Sequence, residues 1–266
     1  MMIRKGYSDG PEGQIHWRIA GAAAAGNAPD LYCFSPAPFS SIAYEAILPK
    51  LASGRRVIAP DYPGQGGSSG GSAEPSIGQY TRSMCALIET LSGEEAVTLT
   101  GFHSGCLVAV ETALNLGKRV SQIVLVDVPA FDPETRAKYL PAVRSPFAVS
   151  AELCGLEKAW ERAVVSRLDS QPIERSLEMF ADQVANGQRQ NATFHAAFTY
   201  DVEARFKRLT RPTTIVATQS MLLEPSRRAT ELIDGAKLIE RLDIQGSVLD
   251  QNAPITAKEV LDSLDG

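Results

Sequence analysis

Gly101, His103 and Gly105 stand at alternate positions in Thr100-Gly101-Phe102-His103-Ser104-Gly105-Cys106. An apolar run from Ala96 to Leu99 precedes them, and a helix-like stretch from Leu107 to Leu116 follows. Strand, glycine-flanked sharp turn and helix form the setting of a nucleophile elbow, G-x-Nu-x-G. In that register the nucleophile's place is held by His103. Ser104 is the tempting hydroxyl, but its own flanking positions are Phe102 and Cys106, so it contributes at most its backbone N–H. His is among the non-glycine residues that tolerate positive φ, so the turn accepts it. At the first turn of a helix the positive dipole end disfavours a second proton. The pKa is therefore expected below the ordinary value of about 6.5, leaving a neutral imidazole near pH 7. Beside N–H donors, such a ring can remove a proton next to a carbonyl while the donors hold the enolate.

The elements that must position these residues follow from hydrophobic periodicity. Residues 2–8 and 13–20 alternate around Asp9 to Gly13 and read as a hairpin. Buried-strand runs recur at 31–34, 56–61, 96–99, 122–127, 213–217 and 237–242. Helical patterns lie between them at 41–48, 79–91, 107–116, 225–232 and 255–264. From Pro129 to about Leu209 the character changes: charges interleave with apolar residues at helical spacing, most clearly at 156–168, 173–186 and 192–206. Alternating strands and helices imply an α/β fold with a mostly parallel sheet covered on both faces. Ligands of such sheets bind beyond the carboxyl ends of the strands. That places Phe34-Ser35, Asp61-Tyr62, His103, Asp127, Met221 and Ser247 among the residues to test.

Composition narrows the function classes. The 266 residues carry 44% hydrophobic and 21% charged residues, as a globular protein does. A net charge of −5, with Lys and Arg unclustered, argues against a nucleic-acid partner. No run reaches transmembrane length, and the start lacks a signal-peptide core, so a cytoplasmic protein with no membrane partner is expected. Cys33, Cys85, Cys106 and Cys154 show no metal-type spacing and read as small buried hydrophobes. Neither a metal constellation nor a G-x-x-x-x-G-K-[ST] phosphate loop is visible, so no cofactor is expected.

The order of segments resembles the α/β-hydrolase fold family, in particular its small bacterial members with a helical cap. The resemblance covers nearly the whole chain. It rests on Gly10 to His16, on Val57-Ile58-Ala59-Pro60-Asp61-Tyr62-Pro63-Gly64-Gln65-Gly66-Gly67-Ser68, and on the context of Gly101 to Gly105. It implies eight strands in a mostly parallel sheet flanked by helices. Residues 1–129 and 210–266 would form the core, with 130–209 as a helical cap inserted after the sixth strand. It also implies a catalytic triad, whose places are here occupied by other residues. His103 stands for the nucleophile, Ser247 for the histidine and Met221 for the acid after the seventh strand. Ser35-Pro36-Ala37-Pro38 replaces the family's H-G-x-P oxyanion loop. Asp127 matches the alternative acid position after the sixth strand. A conventional Ser-His-Asp esterase mechanism is thus not expected.

What survives is a pocket. The N–H groups of Ala37 and Ser104 are candidate oxyanion-type donors. Phe34, Phe39, Tyr62, Phe102, Phe194, His195, Phe198, Met221 and Ser247 are candidate lining residues. For Phe194 and Phe198 a plain packing role is an equal expectation, and His16 reads as a half-buried strand residue. Two functions remain open. One is a cofactor-free enzyme acting on a small apolar or aromatic carbonyl compound, with His103 as base and Asp127 as its partner, in a lyase, isomerase, decarboxylase or atypical hydrolase reaction. The other is an inactive pseudo-hydrolase that binds a small ligand. A small molecule is the expected partner, and a homodimer is compatible with the sequence.

Overall fold

Period-two alternation along each strand sends successive side chains to opposite faces, which sets up two apolar layers. Tyr32 and Phe34 enter one buried cluster while Leu31 and Cys33 enter the other. Ile123 and Leu125 likewise oppose Val124 and Val126. The structure is a computed structural model that describes residues 1–22, 28–144, 154–189 and 191–266. The strands are β1 (Arg4–Gly10), β2 (Gly13–Ala20), β3 (Asp30–Phe34), β4 (Val57–Pro60), β5 (Val97–Phe102), β6 (Val120–Val126), β7 (Thr213–Thr218) and β8 (Lys237–Arg241). They form one sheet in the order β1-β2-β4-β3-β5-β6-β7-β8. β1–β2 and β2–β4 pair antiparallel, and every other pair is parallel. This is the eight-stranded, mostly parallel arrangement expected.

Ten α-helices are described: α1 (Leu48–Leu51), α2 (Ile77–Ser92), α3 (Gly105–Leu116), α4 (Pro133–Arg144), α5 (Cys154–Ala163), α6 (Ile173–Ala185), α7 (Ala192–Thr199), α8 (Val202–Phe206), α9 (Leu223–Leu232) and α10 (Ala253–Asp265). α2 starts at a capping box: the Ser76 hydroxyl accepts from the Gln79 N–H, and the Gln79 side chain accepts from the Ser76 N–H. α2, α3 and α9 cover one face of the sheet, and α1 and α10 the other. The described residues between β6 and β7 are helical, from α4 through α8.

Three helix expectations are corrected. The helix expected at 156–168 ends at Ala163 and gives way to a 3-10 turn, Val165–Arg167. The helix expected at 41–48 is a 3-10 turn, Ser41–Tyr44, followed by the single turn of α1. The helix expected at 192–206 breaks at Tyr200, because Asp201 caps a new start by accepting from the Ala204 N–H.

The Gly- and Ser-rich loop 62–72, which alone suggests a flexible connection, folds tightly around Asp61. The Asp61 carboxylate accepts from the Gly67 N–H and the Ser41 N–H, and lies 2.8 Å from His16 Nδ1. Together these bonds hold its pKa below the ordinary carboxylate value although burial pushes the other way. A Cβ at Gly66 would lie 2.2 Å from that carboxylate, so only glycine fits. His16 is therefore structural, and it is buried rather than half-buried.

Candidate active site

β5 carries the chain into the turn at Phe102, and α3 takes it away from Gly105. The two glycines are there for close approach rather than for φ. A Cβ at Gly105 would lie 2.0 Å from the Phe34 carbonyl oxygen, and one at Gly101 would lie 2.5 Å from the Cys106 nitrogen. Between them His103 takes φ 50°, the strained left-handed conformation of an elbow. Asp127, at the end of the neighbouring β6, has φ 52°, and these are the two non-glycine positive-φ residues among those described. Backbone bonds fix both: His103 N–H donates to Val126 O at 3.1 Å, and Asp127 N–H to Val216 O at 3.0 Å.

The imidazole opens onto a cavity of about 870 Å³ lined by core and by the helical segment between β6 and β7. Its side chain is 38% exposed, and that exposed surface faces the cavity. Among the described residues it has no hydrogen-bond partner. Enclosure by protein, followed by the positive charge of Arg167, pushes its pKa down to about 4. The ring is therefore neutral near pH 7, as the sequence led us to expect. The larger cause is desolvation, where the sequence argument had relied on the helix dipole.

His103 Nε2 stands 4.0 Å from Asp127 Oδ2, facing it without a hydrogen bond. The carboxylate bonds Thr218 instead, accepting its N–H at 2.8 Å and its hydroxyl at 2.6 Å. Burial still raises the Asp127 pKa against those bonds. A neutral imidazole thus faces a buried carboxylate whose pKa is raised, across a gap too wide for a hydrogen bond.

The expected oxyanion pair is corrected. The Ala37 N–H donates to Ser104 Oγ at 2.6 Å and is not free for a ligand. The Ser104 hydroxyl is consequently not a helix cap, and its backbone N–H is the donor left at the elbow. Cys106 is sealed beneath, its thiol donating to Gly101 O and Val126 O, with burial holding it protonated. Cys33, Cys85 and Cys106 are free thiols; the Cys154 side chain lies outside the described residues.

Of the expected lining residues, Phe39, Phe102, Phe194 and Ser247 line the cavity with His103 and Asp127, and Ala37 joins them. Ser247, at the place of the family histidine, donates to Gln171 Oε1 at 3.0 Å. The others do not. Phe34 is wholly buried beneath the site, and Tyr62 stacks on Tyr80 and donates to Ser35 O. Phe198 stacks on Phe131, and His195 lies outside the lining. Met221 is 79% exposed and belongs to a separate surface cleft with Asp132 and Arg228. Strand-end position alone did not distinguish a side chain pointing into the cavity from one pointing into the core.

Sequence reasoning missed the wall contributed by α5 and the turn after it: Lys158, Arg162, Ser166 and Arg167. A signal was present. Gly155, Ala159 and Ala163 recur every fourth residue, giving the helix a small face for close approach, and Lys158, Arg162 and Ser166 share a parallel stripe. Among the described residues no cluster of three His, Cys, Asp or Glu side chains could hold a metal ion. No described helix is long and apolar enough to cross a membrane.

Comparison with known proteins agrees with this architecture. The enol-lactonase of Burkholderia xenovorans LB400 superposes with a TM-score of 0.80 at 20% identity, over 98% of this chain and 100% of its own. A bromoperoxidase from Bacillus anthracis gives 0.76 at 18% identity over 99% and 100%. The carboxylesterase CesB of Bacillus subtilis gives 0.75 at 19% identity over 99% and 92%. At such identities the likeness is one of fold. No curated protein matches the sequence. The profile of the "Alpha/beta hydrolase family" matches residues 14–244, and with the sheet order and the glycine-framed turn at His103 this establishes that the chain belongs to that family.

Proposed function

We propose that this α/β-hydrolase-family protein is a cofactor-free enzyme in which His103 acts as the base on a small apolar or aromatic carbonyl compound. The observation that carries this reading is the His103 ring itself: neutral, unpartnered and open to the cavity from a strained position. Residues 130–209 act as a cap that closes the ligand over it. His103 takes a proton from the carbon beside the carbonyl. The Ser104 N–H steadies the enolate oxygen, and the Asp127 carboxylate, 4.0 Å from Nε2, faces the imidazolium that forms. A lyase, isomerase or decarboxylase reaction fits this chemistry better than ester hydrolysis, because the elbow carries no hydroxyl or thiol in register. The named structural relatives include a lactonase, a peroxidase and an esterase, so shared fold does not choose the reaction.

A second reading, a binding protein without turnover, is favoured by one observation: the Ala37 N–H is occupied by Ser104, leaving half of a donor pair. Proton exchange separates the two. Small aryl ketones and β-keto acids are incubated with the protein in D₂O, and loss of the α-C–H signal is followed by NMR. The enzyme reading expects exchange above buffer, reduced about 10²- to 10⁴-fold in His103→Ala. Exchange undiminished in that variant overturns it. Compounds that raise the melting temperature yet never exchange support the binding protein.

A further inference from the structure

Most arginines that reach into this fold have a carboxylate waiting. Arg18, Arg55, Arg56, Arg175, Arg205 and Arg241 each pair with Asp or Glu. Arg167 is different. It ends the 3-10 turn Val165–Arg167 after α5, is half-buried, and lines the cavity. Its guanidinium carbon lies 6.0 Å above the centre of the Phe39 ring, a cation–π distance. Among the described residues the guanidinium makes no hydrogen bond and no ion pair. The carboxylate closest to serving it electrostatically, Asp250, is already bonded to Arg175 at 2.7 Å.

We propose that Arg167 is the recognition residue for a carboxylate on the ligand, holding that group against the Phe39 ring while the rest of the molecule reaches His103. This rests on the cavity being the ligand site, and it deepens that reading by naming an acidic substrate class. An unpaired cation withdrawn from water is costly unless a counter-charge arrives, and no described residue supplies one. Burial accordingly lowers the Arg167 pKa, with Asp250 only partly opposing.

The charge on the walls agrees. Lys158, Arg162 and Arg167 face the cavity against two carboxylates, Asp127 and Asp250, and both of these are engaged, by Thr218 and Arg175. The planar guanidinium fork matches a carboxylate in a two-point contact. Phe39 beneath it, with Met179 and Leu249 elsewhere in the cavity lining, suits an apolar body carrying one such group.

Occupation has a consequence at the base. Arg167 is one of the two causes that depress the His103 pKa. A bound carboxylate cancels that charge, so the imidazole should gain proton affinity when the ligand is in place. Among the described residues the other charged groups lining the cavity are Asp127, Lys158, Arg162 and Asp250.

The test uses the full chain and NMR of the histidine ring protons. Three histidines give three sets of signals, with His103 assigned from His103→Ala. Benzoate is the probe, with benzamide and inorganic phosphate as comparisons. Benzoate is expected to shift the His103 signals, to bind at least about tenfold more tightly than benzamide, and to raise the His103 titration midpoint above about 4. Arg167→Gln should lose that preference, whereas Arg82→Gln, on the exposed side of α2 and outside the cavity lining, should keep it. Because the Arg167 guanidinium bonds no described residue, Arg167→Gln should melt like wild type; should it not fold, the benzoate-to-benzamide ratio on wild type decides alone. Equal binding of benzamide, no response to benzoate at tens of millimolar, or full selectivity in Arg167→Gln overturns the proposal. Phosphate binding as tightly as benzoate overturns the carboxylate assignment. The catalytic reading fails separately, through undiminished exchange in His103→Ala, since the readout here is binding.

Discussion

At the scale of single residues, His103 joins two properties that water would keep apart: it is enclosed enough to stay neutral and open enough to touch a ligand. Its folded pKa of about 4 lies below the ordinary 6.5. Between those values the unfolded chain binds the extra proton, so this group's contribution to stability is complete above pH 6.5 and is lost as pH falls toward 4. His103→Gln should remove that component. Urea titrations at pH 7.5 and 4.5 should show wild type losing more stability on acidification than the variant, and parallel losses would contradict the assignment. In the proposed mechanism the base is the neutral ring, so α-proton exchange should stay level from neutral pH downward and fall as pH drops through about 4. His103 was legible in the sequence because Gly101 and Gly105 fix the register. The engagement of the Ala37 N–H by Ser104 was not, since the two residues are 67 positions apart and only the folded loop brings them together.

Among elements, the β5–turn–α3 unit depends on backbone packing that leaves no space for a methyl group. Gly105→Ala would drive a Cβ into the Phe34 carbonyl at the end of β3, and main chain cannot swing aside as a side chain can. A loss of about 1–3 kcal/mol is expected in chemical denaturation, the usual cost of overpacking. Gly93→Ala, where open space surrounds the position, should cost only what its φ of 53° imposes. Equal losses at the two positions would refute the close-approach argument. The strands and long helices were readable because each has one dominant period. The 41–48 segment was not: Ser40 and the Asp61 carboxylate together take up backbone N–H groups at its start, a local competition that apolar spacing does not reveal.

For the whole molecule, the placement of all three histidines decides what the cavity can become. His16 is held by Asp61 under the glycine-rich loop, and His195 lies outside the lining. A serine installed by His103→Ser therefore has no base, and the variant should leave p-nitrophenyl acetate hydrolysis at the wild-type background. Activity clearly above it would mean that another group can activate the hydroxyl. The walls of the cavity were the least legible part of the site, because the contacts that seat the helical segment span long separations. Asp182 accepts from the Ser40 N–H and hydroxyl, Asn186 donates to Pro38 O, and Arg175 reaches both Asp250 and Ile42 O. Each is a reasonable surface residue when read along the chain. The paired left-handed backbones of His103 and Asp127 carry a wider consequence. Glycine or asparagine would relax either position, so selection for folding alone would drift toward them, and selection for use would resist that drift. The tolerance of these two sites to replacement therefore measures how far the protein's work, rather than its durability, has shaped the chain.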